Sequence, residues 1–253
     1  MSDLVRVERE KDLVWVVLDR EEKRNALDRE FVDAIHAVLA TLEEDPDVGV
    51  VVFRSSFDSA FVSGADIAEL RDRNALDSLA RINARLFDRI EQLPMPTIAA
   101  IQGYALGGGC EFTLACDLRV AGRSAKMGQP EVGLGILPGA GGTQRLPRII
   151  GLGRAKELVL TGRIIEAEEA ERIGLVHQVV PDGELYDHTR QLADRVLANG
   201  KLATRLAKLA LDSAFDGGRV GHRLESVAQA VLFDSEDKKA RMTRFLDRKK
   251  TRR

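Results

Sequence analysis

Cysteine is scarce in this chain, with two among 253 residues, Cys110 and Cys116. Six positions apart, they form no zinc-ligand pattern and too small a set to staple a fold. The reading is of two buried, reduced thiols in a cytoplasmic protein. Histidine is nearly as sparse. His36, His177, His188 and His222 are scattered, and no HExxH pair occurs, so no metal site is expected. The formal net charge is only -2, which excludes a global field for nucleic acid or an anionic membrane. No apolar run reaches the length of a membrane span. The opening, MSDLVRVEREKD, is charged and has no apolar core, so neither a secretory signal nor a transit peptide is expected.

What the chain does have is 44% hydrophobic and 31% charged residues, enough for one substantial core. Val5 and Val7, then Val14, Val16 and Leu18, alternate about Lys11-Asp12 and predict a hairpin. Phe31, Ile35, Val38, Leu39 and Leu42 mark a helix stripe, with Asp28 placed to cap it. Val48 to Phe53, Thr97 to Ile101 and Leu118 to Ala121 read as short strands. Residues 55–65 read as a loop, and Asp66 to Leu70 as a short helix. Leu79, Ile82, Leu86, Ile90 and Leu93 predict one amphipathic helix, stopped by Pro94 and Pro96. Strands and helices alternate in a mixed α/β body over 1–198, and 199–253 reads as helix after helix. This last part carries 14 Lys+Arg against seven Asp+Glu. Such a basic end suits an anionic ligand or a solvated helix face.

Two segments stand out: IQGYALGGGCE, from Ile101 to Glu111, and GQPEVGLGILPGAGGTQR, from Gly128 to Arg145. Gly107 to Gly109 precede a helix, so the backbone there can approach a ligand closely and offer free amides at the positive end of the dipole. Those amides suit an oxyanion, a phosphate or simply a tight turn. Glu111, on the first helical turn, could serve the dipole alone, and Glu131 could be a solvated loop residue. The glycines of 135–142 end in no Gly-Lys-Ser/Thr, which excludes a P-loop. No GxSxG elbow exists for a serine hydrolase.

These two segments closely resemble the enoyl-CoA hydratase/isomerase, or crotonase, family. LDREEKRNALD, FVSGADIAEL, LTGRIIEAEEAERIGLVHQVVP and EDKKARMTRFLDRKK extend the resemblance over nearly the whole chain. It implies a spiral of ββα units with a C-terminal helical trimerisation region, and a homo-hexamer built from two trimers. It implies an acyl-CoA substrate, whose thioester oxygen is held by the amides of Ala65 and Gly108. It implies that Glu111 activates water and Glu131 protonates the α-carbon, with no metal or redox cofactor. Substrate contacts are implied for Arg24, Ala26, Gly64, Asp66, Ile67, Gly107, Pro130, Phe245 and Arg248. In relatives the last two positions reach a neighbouring subunit's CoA. The chain departs from the pattern at Ala68 and Arg248, where lysine is common. Both glutamates are present, and 138–142 lacks the acid of the dienoyl isomerases. Hydration of a 2-enoyl-CoA is therefore expected ahead of Δ3-Δ2 isomerisation or a specialised 3-hydroxyacyl-CoA dehydration. RNA binding by the basic tail ranks below these, since no RNA-recognition motif accompanies it.

Overall fold

A computed structural model describes residues 4–72, 74–215 and 219–251. Strands β1 (Val5–Glu10) and β2 (Leu13–Leu18) form the expected antiparallel hairpin, turned by Lys11 at φ 56°. Helix α1 (Arg29–Glu43) follows. Asp28 caps it by accepting the Phe31 amide at 3.0 Å, and all five residues of its apolar stripe are buried.

From there one unit is repeated three times: a strand of a large sheet, a strand of a smaller sheet, then helix. The first is β3 (Val50–Ser55), β4 (Ala60–Val62) and the helices α2 (Ile67–Asp72), α3 (Ala75–Leu79) and α4 (Ile82–Glu91). The second is β5 (Thr97–Ile101), β6 (Tyr104–Leu106) and α5 (Gly108–Ala115). The third is β7 (Leu118–Gly122), β8 (Lys126–Gly128), α6 (Gly142–Ile150) and α7 (Leu152–Thr161). Then come β9 (Ile164–Glu166), α8 (Ala167–Arg172), β10 (Gln178–Val180) and α9 (Leu185–Leu197). The large sheet runs β1-β2-β3-β5-β7-β10 and the small one β4-β6-β8-β9. Within the repeats every pairing is parallel. This is the expected spiral of ββα units. Every residue of β2 and of β5 is buried, which explains their unbroken apolar runs: a parallel sheet is covered on both faces.

Two expectations fail for local reasons. The stretch read as a loop contains β4, which is three residues long and irregular at Ala60/Val62, too short to show alternation. The single helix over 79–93 is two. Asn74 caps α3 in a capping box, and Arg81, at φ 54°, restarts the chain as α4. Leu79 ends the first of these and is exposed instead of joining the stripe.

The remaining helices are α10 (Lys201–Asp212), α11 (Arg219–Phe233) and α12 (Glu236–Thr251). Lys208 ties α10 to the body, donating to Asp117 Oδ2 at 2.9 Å and to the Met95 carbonyl at 3.3 Å. Both cysteines are free and buried, as expected. No helix among the described residues is long and apolar enough to cross a membrane.

Candidate active site

Helix α5 is buried along all eight residues, so its position is set from every side. Phe112 is its anchor. The ring meets Phe53, Phe61 and Phe87 edge-on, with centroids 5.1, 5.5 and 5.7 Å away. Each such pair adds about 0.5–1.5 kcal/mol beyond burial. Glu111, one residue earlier, is therefore fixed by the aromatic core.

The three glycines have separate reasons to be glycine. Gly107 sits at φ 51°, ψ -119°, outside the range of L side chains. A Cβ on Gly109 would run into the Val62 carbonyl. A Cβ on Gly108 would lie 3.6 Å from the Ala65 nitrogen, so the two backbones run within about one side-chain atom of each other. Leu27 holds Ala65 there: its amide donates to Gly64 O at 2.8 Å, and its carbonyl accepts from Asp66 N at 3.3 Å. That pairing leaves the Ala65 amide unused. Among the described residues neither the Ala65 nor the Gly108 amide has an acceptor. Backbone amides without an acceptor, one of them at a helix N-terminus, are the kind of donor that stabilises an oxygen gaining negative charge.

Glu111 is 3% exposed, and its Oε1 accepts the amides of Ala140 and Gly142, each at 2.8 Å. Burial raises its pKa, while those amides and the Arg145 guanidinium pull it down. Glu131, on a 3-10 turn over Pro130–Leu134, is 8% exposed and not a solvated loop residue. Burial, with Glu111 adding to it, pushes its pKa up to about 7. Gln129 is fully buried and can donate its side-chain amide to Glu131 Oε1 at 2.9 Å and Oε2 at 3.2 Å.

A cavity of about 610 Å³ brings together Gly64, Ala65, Ile67, Gly107, Gly108, Glu111, Pro130 and Glu131. Leu70, Ile82, Ala84, Leu134, Ile136 and Leu137 give it an apolar wall. Arg24, Ala26 and Asp66 do not line it. Arg24 is exposed in a left-handed turn, and its carbonyl accepts Ser63 N at 3.1 Å. Ala26 is buried beside that turn. Asp66 caps α2, accepting from Ala68 N at 2.9 Å and Glu69 N at 3.1 Å. Phe245 and Arg248 belong to α12, but their side chains lie outside the described residues. Among the described residues no cluster of His, Cys, Asp or Glu could hold a metal. Two buried polar residues escaped the sequence reading, Gln129 and Arg145. The available signal was a long polar side chain inside a glycine-rich apolar segment.

Two buried carboxyls and two backbone amides without acceptors around one cavity are the groups that proton transfer beside a carbonyl requires. The comparisons with known proteins sharpen this. The family described as "Enoyl-CoA hydratase/isomerase" matches residues 8–252, and the chain belongs to it. It is 41% identical over 248 residues to a crotonyl-CoA hydratase of Syntrophomonas wolfei, covering 96% of this chain and 95% of that protein. It is 39% identical over 247 residues to a short-chain-enoyl-CoA hydratase of Clostridium acetobutylicum, with 96% and 95% covered. The crystal structure of an enoyl-CoA hydratase from Bacillus anthracis superposes with a TM-score of 0.93 at 37% identity, covering 97% of each chain.

Proposed function

We propose that the chain is an enoyl-CoA hydratase that reversibly adds water, in a syn sense, to a 2-trans-enoyl-CoA to give the 3-hydroxyacyl-CoA, as in fatty-acid β-oxidation. The observation that carries the reading is the placement of Glu111 and Glu131 in the cavity that also holds the Ala65 and Gly108 amides. In this reading the thioester oxygen sits between the two amides, which polarise the alkene and hold the enolate charge. Glu111 takes a proton from water as the oxygen attacks the β-carbon. Glu131 gives its proton to the α-carbon on the same face.

The environments support that division of labour. Burial raises the Glu111 pKa, but two backbone amides and the Arg145 guanidinium counter part of that rise, a support for the ionised form that Glu131 lacks. Glu131, with its pKa near 7, keeps its proton on a large fraction of molecules at neutral pH, where an ordinary carboxyl has lost it. Hydration is redox-neutral and its protons are covered by the two carboxyls, so the proposed reaction draws on no metal or redox cofactor. The CoA arrives as part of the substrate.

A cytoplasmic homo-hexamer, a dimer of trimers, completes the proposal. The apolar side chains of Leu209, Leu211, Val227 and Val231, exposed on the C-terminal helices, support association through that region. Phe245 and Arg248 are proposed to reach a neighbouring subunit's CoA.

The test is loss of the conjugated-enone absorbance of crotonyl-CoA, with the product identified by mass and chirality, beside 3-butenoyl-CoA and longer 2-enoyl-CoA substrates. Rapid formation of 3-hydroxybutyryl-CoA, with slower turnover of the 3-enoyl ester, is expected. Turnover of the 3-enoyl ester alone would assign an isomerase instead.

A further inference from the structure

Glu111 is held by a loop, and that loop is itself held by Arg145. Arg145, in the first turns of α6, is 6% exposed. Its Nη1 donates to the Ala140 carbonyl at 3.0 Å. Its Nη2 donates to Asp88 Oδ1 at 2.9 Å and Glu91 Oε2 at 2.6 Å, both on α4. Ala140 thus gives its N–H to Glu111 and its carbonyl to Arg145. Gly141 between Ala140 and α6 stands at φ 109°, and a Cβ there would run into the Arg145 guanidinium. The backbone has been kept bare so that the cation can lie against it.

We propose that Arg145 is the positioning residue for Glu111, bolting the 139–142 loop to α4 and so aiming the two amides that orient the Glu111 carboxylate. The proposal rests on the reading of Glu111 as the group that activates water. Arg145 touches neither substrate nor water in this account. It works through the Ala140 peptide and through its charge.

The charged groups around Glu111 come from four elements. Glu131 approaches from the turn after β8, Arg145 from α6, and Asp88 and Glu91 from α4 reach Arg145. On α5 itself the Cys110 thiol is pushed up to about 12 by burial and stays neutral. Asp88 is shared with Arg81, which it meets at 2.8 Å. Burial keeps the Glu111 pKa raised; the Gly142 and Ala140 amides offset part of that rise, and Arg145 adds the favourable charge to theirs. Without it the Glu111 carboxyl holds its proton to higher pH.

The experiment compares Arg145→Gln, Arg145→Lys and Glu111→Gln with wild type, using kcat, KM and the pH profile of kcat/KM for crotonyl-CoA. For Arg145→Gln, kcat falls about 10–100-fold with KM nearly unchanged, as misplacement of a catalytic group does. Its acidic limb moves up by roughly half a unit or more, because a nearby positive charge has been lost. Arg145→Lys returns the acidic limb to the wild-type position. It does not restore kcat, since one amine cannot span Ala140 O, Asp88 and Glu91. This variant decides the matter if the glutamine variant does not fold. Unchanged kcat in Arg145→Lys, or an unmoved acidic limb in a folded Arg145→Gln, overturns the proposal. Full activity in Glu111→Gln would instead overturn the underlying reading of Glu111.

Discussion

The side chain that Gly107 lacks would begin 3.1 Å from Glu131 Oε1. The turn that opens α5 and the carboxyl brought by the third repeat of the spiral are therefore packed directly together. Gly107→Ala meets two penalties, a left-handed backbone and displacement of Glu131. We expect a stability loss of about 1–2 kcal/mol for the backbone. We also expect kcat to fall at least about tenfold through misplacement of the acid. Urea unfolding and steady-state kinetics measure the two separately. A variant that loses stability while keeping wild-type kcat would show that Glu131 tolerates being moved.

The proton carried by Glu131 sets the alkaline side of the pH profile. The acid must be protonated to deliver its proton, and its pKa lies near 7. Activity should therefore fall as pH rises through that value. The kcat/KM for hydration is expected to decline above about pH 7, approaching tenfold per unit, and to fall at acid pH as Glu111 protonates. The apparent values belong to the pair. A profile flat to pH 9 would contradict the assignment.

The same shift has a consequence for stability. The folded-state pKa of Glu131 is raised, so the folded protein binds the proton more tightly than the unfolded chain does. Stability is therefore lost as pH rises from about 4.5 to 7. Glu131→Gln removes the buried charge. Little change in Tm is expected at pH 5, where the wild-type carboxyl is already neutral. A larger gain is expected at pH 8, on the order of 3 kcal/mol and so several degrees in Tm. Calorimetry at the two pH values checks it, and an equal shift at both would refute the linkage.

Asp28 links the start of α1 to the loop that feeds the site. Burial opposes its ionisation. The Arg20 guanidinium at 2.5 Å, the Phe31 amide and Lys23 at 3.0 Å outweigh that and hold its pKa below the usual range. Asp28→Ala removes a helix cap and leaves the 5%-exposed Arg20 side chain without this partner. It should cost about 3 kcal/mol. Asp28→Asn keeps an oxygen for the cap and should cost less. Denaturant midpoints order the two, and equal losses would mean that the cap contributes nothing.

The legibility of the site in the sequence divides by physical cause. Residues 31–42 showed a helix because a one-sided stripe repeats every 3.6 residues. Residues 97–101 showed a strand because both faces are covered. The small sheet was hidden, since β4, β6, β8 and β9 are three residues each and carry no period. The glycines of 107–109 announced a close backbone approach, but not what approached. Glu111 and Glu131 stand 20 positions apart on different elements, and only the spiral brings them to one cavity. Family resemblance supplied that convergence where residue physics could not. Gln129 and Arg145 lay inside the very segments singled out, and their roles depend on contacts with distant parts of the chain. Arg145 reaches residues more than 50 positions earlier.

The central claim is that two carboxyls share the proton work of hydration. It is tested most directly by the rate of 3-hydroxybutyryl-CoA formation from crotonyl-CoA in Glu111→Gln, Glu131→Gln and the double variant, with each fold confirmed by its circular dichroism. Each single variant is predicted to lose at least about 10²–10⁴-fold in kcat. The double variant should lose little more than either, because the two groups act as a unit. Near-wild-type hydration by either single variant would contradict the account.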